Sequence, residues 1–478
     1  MPISRRRMIA GCASLPAALS ILPFSASALL AEGEVDFPGT MTVGAACWDV
    51  TGEPGPELGG FLARKQPSTG IGTRLFARAL FLKNVVWPDR YSGQQSCRHH
   101  EETLLWISVD SLGFTQEIVQ RVKMSFSEKF GIEPWRVVLS ATHTHSAPCA
   151  SWTVGEYSGE YVENVLMPGL DQAAMSARDS AEECFLVEAT GEADFNIDRR
   201  NAATKHTENR VPAVGWKRAD GTFKAVLIGY TMHPVCHCSG LIHAEWPGAV
   251  ADAIPEFFSA NTVPFVIQGA CGNINPGPKV NVNTIPEVGR LLVECVADSL
   301  KNAKSAEPYF AMRGRRIAVL LKFDDEATIR EFARQNRRPD PGPEDFVGHT
   351  LNRTADRWET WAINQLHLDG KDYVEADVAA MVLGHRAFVT SPFETLSWMN
   401  PELAKHTDID CFALGYTNGC YHYLCHDAAY DEGGYEPDGV KLWYRIFPIK
   451  RGELERLAAN SAPLVELTAQ IAGLKTSH

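Results

Sequence analysis

Ser140-Ala-Thr-His-Thr-His-Ser-Ala-Pro148 closes the apolar run Arg136-Val-Val-Leu-Ser140 and carries two histidines, His143 and His145, spaced i, i+2. In an extended chain, side chains two apart point the same way, so both imidazoles can reach one metal ion or one substrate oxygen. A histidine pair after a strand is also common as plain hydrogen-bonded structure. What favours the metal reading is that other strand ends of the chain carry ligand-type residues too.

The text on either side alternates between strand and helix periods. Thr103-Leu-Leu-Trp-Ile-Ser-Val109 reads as a buried strand closed by Asp110, and Ile118, Val119, Val122, Phe126 and Phe130 mark one face of a helix ending at Gly131. Residues 162–178 and 288–302 read as further helices, and 185–189, 224–231, 263–268, 385–390 and 411–416 as strands. A helix is expected from Glu394 to about Lys405, and the closing helix, 453–474, is expected to break near Pro463. Two charge-rich helical pieces, 325–336 and 352–367, flank Arg338-Pro-Asp-Pro-Gly-Pro343 and read as a surface excursion, either a lid or a solvated insertion. The fold class is α/β, with mixed sheets and helices packed around them in one large domain, 32–478. With a helix as the closing element, no C-terminal Ig-like sandwich is expected.

Read only at strand ends, the sequence gives a constellation. His143 and His145 follow 136–140, His233-Pro234 follows 224–231, and Gly269-Ala-Cys-Gly-Asn-Ile-Asn-Pro276 follows 263–268. Pro392-Phe-Glu394 follows 385–390, and Asn418-Gly-Cys-Tyr-His-Tyr423 follows 411–416. Two imidazoles and a carboxylate leave an open position on zinc for water, so hydrolysis needs no Ser or Cys nucleophile.

In this order Asp49-Val-Thr-Gly52, Val109-Asp110, the His143/His145 segment, Asn196-Ile-Asp-Arg199, Thr231-Met-His-Pro234, Glu245-Trp-Pro-Gly248, Gly272-Asn-Ile-Asn-Pro276, Pro392-Phe-Glu394 and 418–436 resemble the neutral/alkaline non-lysosomal ceramidases. The His-x-His and His-Pro segments are the most specific of these. The resemblance implies one zinc per chain, held by His143, His233, Glu394 and Tyr423, and a zinc-activated water that cleaves an amide into a fatty acid and a long-chain base. It also implies that His145 and Tyr435 stabilise the developing oxyanion or leaving group and that Arg199 orients the substrate. Tyr423 has a second reading, as a buried phenol donating one hydrogen bond.

The sequence departs from that family at Asn275, at Phe393 and in the extra Cys420, Cys425 and His426 around His422-Tyr423. Where well-known ceramidases carry Gly-Asp-Val-Ser-Pro, Asn275 takes the place of the serine; an amide cannot attack a carbonyl, but it can hydrogen-bond a water or a sugar-like hydroxyl. Phe393 adds bulk beside the carboxylate. The expected substrate is therefore a small amphiphilic or polar molecule, either a ceramide or another N-acyl amphiphile. The alternative is a glycoside, ester or peptide handled by the same metal scaffold.

A formal charge of −13 opposes nucleic-acid binding, which needs a basic surface. Residues 1–31 read as an export signal: Ser4-Arg-Arg-Arg-Met-Ile9 precedes an uncharged apolar stretch with Ala26-Ser-Ala28 as a cleavage option. Paired arginines point to a bacterial twin-arginine signal, ahead of a general secretory signal or a retained anchor, which Pro16 and Pro23 oppose. A periplasmic or secreted protein without a membrane span after processing is expected. Of 12 cysteines, Cys420 and Cys425 are expected to form a local disulfide with His426 as a bystander, and Cys236-His-Cys238 to pair or bind metal. His99, His100, His237 and His243 are weaker candidates for a second metal.

Overall fold

The computed structural model describes residues 39–474, except 65, 87–99, 152–154, 201, 202, 204, 305–308, 368–370 and 445. The expected export signal and His99 lie outside the described residues, as does the side chain of His100. The chain from Pro38 to His478 forms one compact unit.

Its framework is an eight-stranded mixed sheet in the order Val263–Gln268, Phe223–Tyr230, Arg210–Lys217, Glu182–Glu192, Met41–Asp49, Phe76–Val86, His100–Val109, Val137–Ala141. The inner pairs are antiparallel, and the pair at each edge is parallel. The sheet is coiled enough to bring its two edges together. Trp106 packs edge-on against Phe265 with ring centroids 5.1 Å apart, and Gln268 Nε2 donates to the Thr142 carbonyl at 3.1 Å. Ligand-bearing segments that leave opposite edges therefore arrive at the same place.

A second sheet, in the order Phe310–Leu320, Tyr373–Leu383, Arg386–Thr390, Asp410–Leu414, packs on the first. Phe310, Met312, Met381, Phe388 and Phe412 share a core with Trp106, Trp216, Leu227 and Phe265. Isolated bridges from Leu414 to Gly269 and from Thr417 to Ser140 stitch the end of strand Asp410–Leu414 to both edges of the large sheet. Every strand end that carries a predicted ligand is tied to this junction by main-chain bonds.

Helices cover the outer faces. Gln116–Phe130 is capped by Thr115, whose hydroxyl accepts from the Ile118 N–H, and stops at Gly131 in the left-handed region (φ 65°). With Met167–Asp179 it buries Ile118, Val119, Val122, Phe126, Leu170 and Ala174 against the large sheet. Glu245–Phe257 and Ile285–Asn302 cover the strands at its other end. Glu453–Ala472 lies on the smaller sheet.

Three expectations are corrected. The closing helix runs through Pro463 unbroken, because Leu457, Ala458, Val465 and Ala469 on its buried face outweigh the one hydrogen bond that proline removes. Residues 394–405 are not one helix: Glu394–Thr395 is a two-residue strand paired with Tyr423–Leu424, and only Met399–Leu403 is helical. No disulfide joins Cys420 to Cys425, and Cys236 and Cys238 are likewise not bridged. The 325–367 excursion forms Glu326–Asn336 and Phe346–His367, and it is no solvated insertion, since Ile329, Ala333, Ala355, Trp358 and Ala362 enter the core under the smaller sheet.

Candidate metal centre

His143 leaves strand Val137–Ala141 with a φ of 65°, a left-handed conformation that only its surroundings can enforce. The turn aims its ring inward: Nδ1 lies 2.6 Å from the Leu112 carbonyl oxygen, which can only accept, so Nδ1 carries the proton and Nε2 presents a lone pair. His233, leaving strand Phe223–Tyr230, repeats this arrangement with Nδ1 2.7 Å from the Cys271 carbonyl. Its Nε2 is buried without a hydrogen-bond partner. Burial pushes the His233 imidazole down to about 4, so it is neutral at pH 7 and available as a ligand.

Glu394 closes the group. Its Oε2 lies 3.3 Å from His143 Nε2 and 3.3 Å from His233 Nε2. Burial opposes ionisation of this carboxyl, and only positive charge among His143 and His233 offsets it; with both imidazoles neutral, a cation held between the three groups would supply that charge. Ligands about 2.0–2.1 Å from a tetrahedral zinc are roughly 3.3–3.4 Å from one another, so the spacing of the carboxylate from each imidazole fits such an ion. The orphaned Nε2 of His233 and the protonated Nδ1 atoms fit it too.

His145 adds a third imidazole, with Nε2 3.2 Å from His143 Nε2, and the three rings each bring a nitrogen to within 4.8 Å of the others. Its surroundings differ: Nδ1 has no hydrogen-bond partner, and the ring lies edge-on to Phe61 at 5.0 Å. Gly60, at φ 96°, makes room for it, since a Cβ there would sit 2.4 Å from the ring. Arg64 pins the same loop by donating to the His145 carbonyl and to Ser146 Oγ.

The remaining predicted residues gather on one side. Arg199 donates to Tyr423 Oη at 3.0 Å, Asn275 Oδ1 at 3.2 Å, the Gly272 carbonyl at 2.8 Å and Glu436 Oε1 at 2.9 Å. Asn275 thus spends its carbonyl oxygen on Arg199. Tyr423 is buried beside Glu394, and burial together with that negative charge keeps its phenol protonated far above neutral pH unless a cation is added. Tyr435 stands at the rim, 49% exposed, its ring 5.8 Å from that of Tyr423. Next to it opens a pocket of about 520 Å³ lined by Arg199, Arg200, Glu432, Gly433, Gly434, Tyr435 and Glu436.

Two tyrosines that the sequence did not single out also reach the carboxylate. Tyr416 stacks on His143 at 3.8 Å and donates to Glu394 Oε2 at 3.4 Å. Tyr444 donates to Glu394 Oε1. For Tyr416 a signal existed, because it sits in Gly415-Tyr-Thr-Asn418 just past a strand end; for Tyr444 there was none. Among the described residues no second cluster of three metal-type donors occurs. His237 and His243 are stacked on each other at 4.3 Å, and His243 Nδ1 accepts the Glu245 N–H.

No family model and no curated protein sequence matches this chain. Solved structures do. The crystal structure of neutral ceramidase from Pseudomonas aeruginosa aligns with a TM-score of 0.66 and 16% identity over 92% of this chain and 76% of that one. A ceramidase complexed with C2 aligns with a TM-score of 0.65 and 15% identity over the same shares. At this level of identity the likeness is one of architecture: the chain has the neutral ceramidase fold.

Proposed function

We propose that this protein is an exported zinc-dependent amidohydrolase that cleaves the N-acyl bond of a ceramide or a related N-acyl amphiphile. The observation that carries the reading is that His143 Nε2 and His233 Nε2 both lie 3.3 Å from Glu394 Oε2, with both imidazole lone pairs turned inward. We take these three, with Tyr423, as the ligand set in preference to three histidines, because ligating imidazoles have their second nitrogen anchored and His145 does not. When bound, zinc would supply a water acidified to near neutral pH and positive charge for the reacting carbonyl.

The chain's own groups divide the remaining work. His145, kept neutral by burial, offers a hydrogen bond at the open side of the group. Tyr435, half exposed at the rim, has its phenol raised by partial desolvation and by the negative charge of Glu394, so at pH 7 it remains a neutral donor. Such fixed donors stabilise charge that develops on a substrate oxygen. Arg199 holds Tyr423, Asn275 and Glu436 in one plane and so fixes the wall along which the substrate lies.

A second reading keeps the scaffold and changes the substrate to a glycoside, ester or peptide. The pocket beside Tyr435 motivates it, because Arg199, Arg200, Glu432 and Glu436, ion-paired with one another, stand in its lining. Protein stripped of metal should lose turnover of labelled ceramide and regain it with zinc. If the zinc-loaded protein fails on every N-acyl lipid but turns over a polar member of the panel, the second reading replaces the first. The leader of residues 1–31 supports export, and no described helix is long and apolar enough to cross a membrane.

A further inference from the structure

Glu394 has two carboxylate oxygens, and the fold treats them differently. Oε2 faces His143 and His233 at 3.3 Å each. Oε1 takes the hydroxyl of Tyr444, a residue from the segment between Tyr435–Gly439 and the closing helix. Both partners are buried. We propose that Tyr444 is a positioning residue that claims Oε1 and thereby makes Glu394 a one-oxygen ligand, a role that rests on the metal reading given above.

The packing supports a fixed orientation. The Tyr444 ring lies 5.3 Å from His422 and meets Tyr423 at 88° with centroids 6.3 Å apart. On its outer side it borders a cavity of about 280 Å³ lined also by Phe114, Trp361 and Tyr421, so the ring forms the wall between that cavity and the carboxylate. Tyr423 and Tyr444 therefore split two tasks that a pair of phenols near one carboxylate would otherwise share. Tyr423, tied to Arg199, would complete the ligand set; Tyr444 orients the acid. Tyr416 is the weaker partner, since its hydroxyl is 3.4 Å from Oε2 and also 3.2 Å from Cys271 Sγ.

Partners that orient a ligand are worth about 10–100-fold in metal affinity. The test is zinc affinity, measured by chelator competition on metal-free wild type, Tyr444→Phe and Tyr416→Phe, with the melting temperature of each metal-free protein read alongside. Tyr444→Phe should weaken zinc by about 10–100-fold while melting with the wild type, and Tyr416→Phe should weaken it less. Equal zinc affinity in Tyr444→Phe and wild type overturns the proposal, as does a loss matched by a fall in the metal-free melting temperature. A wild type that binds no zinc overturns the metal reading itself, and this proposal with it.

Discussion

Glu394 and Tyr423 are direct partners in a two-residue parallel ladder, Glu394 opposite Tyr423 and Thr395 opposite Leu424. The Glu394 N–H donates to the His422 carbonyl at 3.0 Å, so the spacing of a carboxylate and a phenol from distant parts of the chain is set by main-chain bonds. Residues opposite each other in neighbouring strands stand about 4.8 Å apart and point to the same face. A ladder this short has little stability alone; it persists because the Thr395 carbonyl accepts the Gly272 N–H at 2.8 Å and because Leu414 and Thr417, which lead into Tyr423, bridge to Gly269 and Ser140.

His233→Ala should abolish zinc binding and activity together. A metal that polarises a carbonyl is worth several kcal/mol in the transition state, and at 1.36 kcal/mol per decade this is about 10³-fold or more in rate. Zinc content and turnover measured on the same preparation check it.

Arg199→Lys keeps the charge but loses the planar fork that reaches Tyr423, Asn275, Gly272 and Glu436 at once. Turnover should fall about 10–100-fold with little change in melting temperature. Steady-state kinetics and a thermal melt separate this from misfolding.

The clustering of His143, His145, His233 and Glu394 was legible because each follows a strand end with its own signature: His-x-His, His-Pro and Pro-x-Glu. What orients them was not. The anchors of the two imidazoles are the carbonyls of Leu112 and Cys271, and a main-chain oxygen leaves no mark in a sequence. Tyr444 stands alone in 441–447, with no spacing relation to any other site residue. Helix Glu245–Phe257 also escaped notice, because residues 244–251 are apolar on nearly every side and Pro247, Gly248 and Pro255 mask the helical period. The strand Phe310–Leu320 was hidden by arginines at 313, 315 and 316, which lie on an only partly covered stretch of the sheet. The helix expected after Glu394 shows the converse fault: an apolar run with helical spacing is read as a helix although tertiary pairing claims its first residues for a strand.

Trp358→Ala should destabilise the protein by about 3–5 kcal/mol, the usual cost of emptying a large buried aromatic site. Trp358 is 1% exposed and packs against Phe332 at 5.1 Å inside the excursion. Denaturant unfolding measures this; a surface appendage would instead lose almost nothing.

Glu245 has its carboxyl pushed up to about 7 by burial, although the backbone N–H groups of His237 and Cys236 pull the other way. Between its ordinary value near 4.5 and about 7 the folded state holds a proton that the unfolded state has released, so this group's stabilisation is complete below pH 4.5 and is lost as pH rises towards 7. Glu245→Gln removes that loss. The melting temperature of the variant minus that of the wild type should therefore rise across this window and level off above it.

The measurement that bears most directly on the account is anomalous scattering at the zinc absorption edge from crystals of the protein as purified. One strong peak per chain is expected, about 2.0–2.3 Å from His143 Nε2, His233 Nε2 and Glu394 Oε2. A protein active on its substrate with no peak there, or with its only peak at another set of side chains, would contradict it.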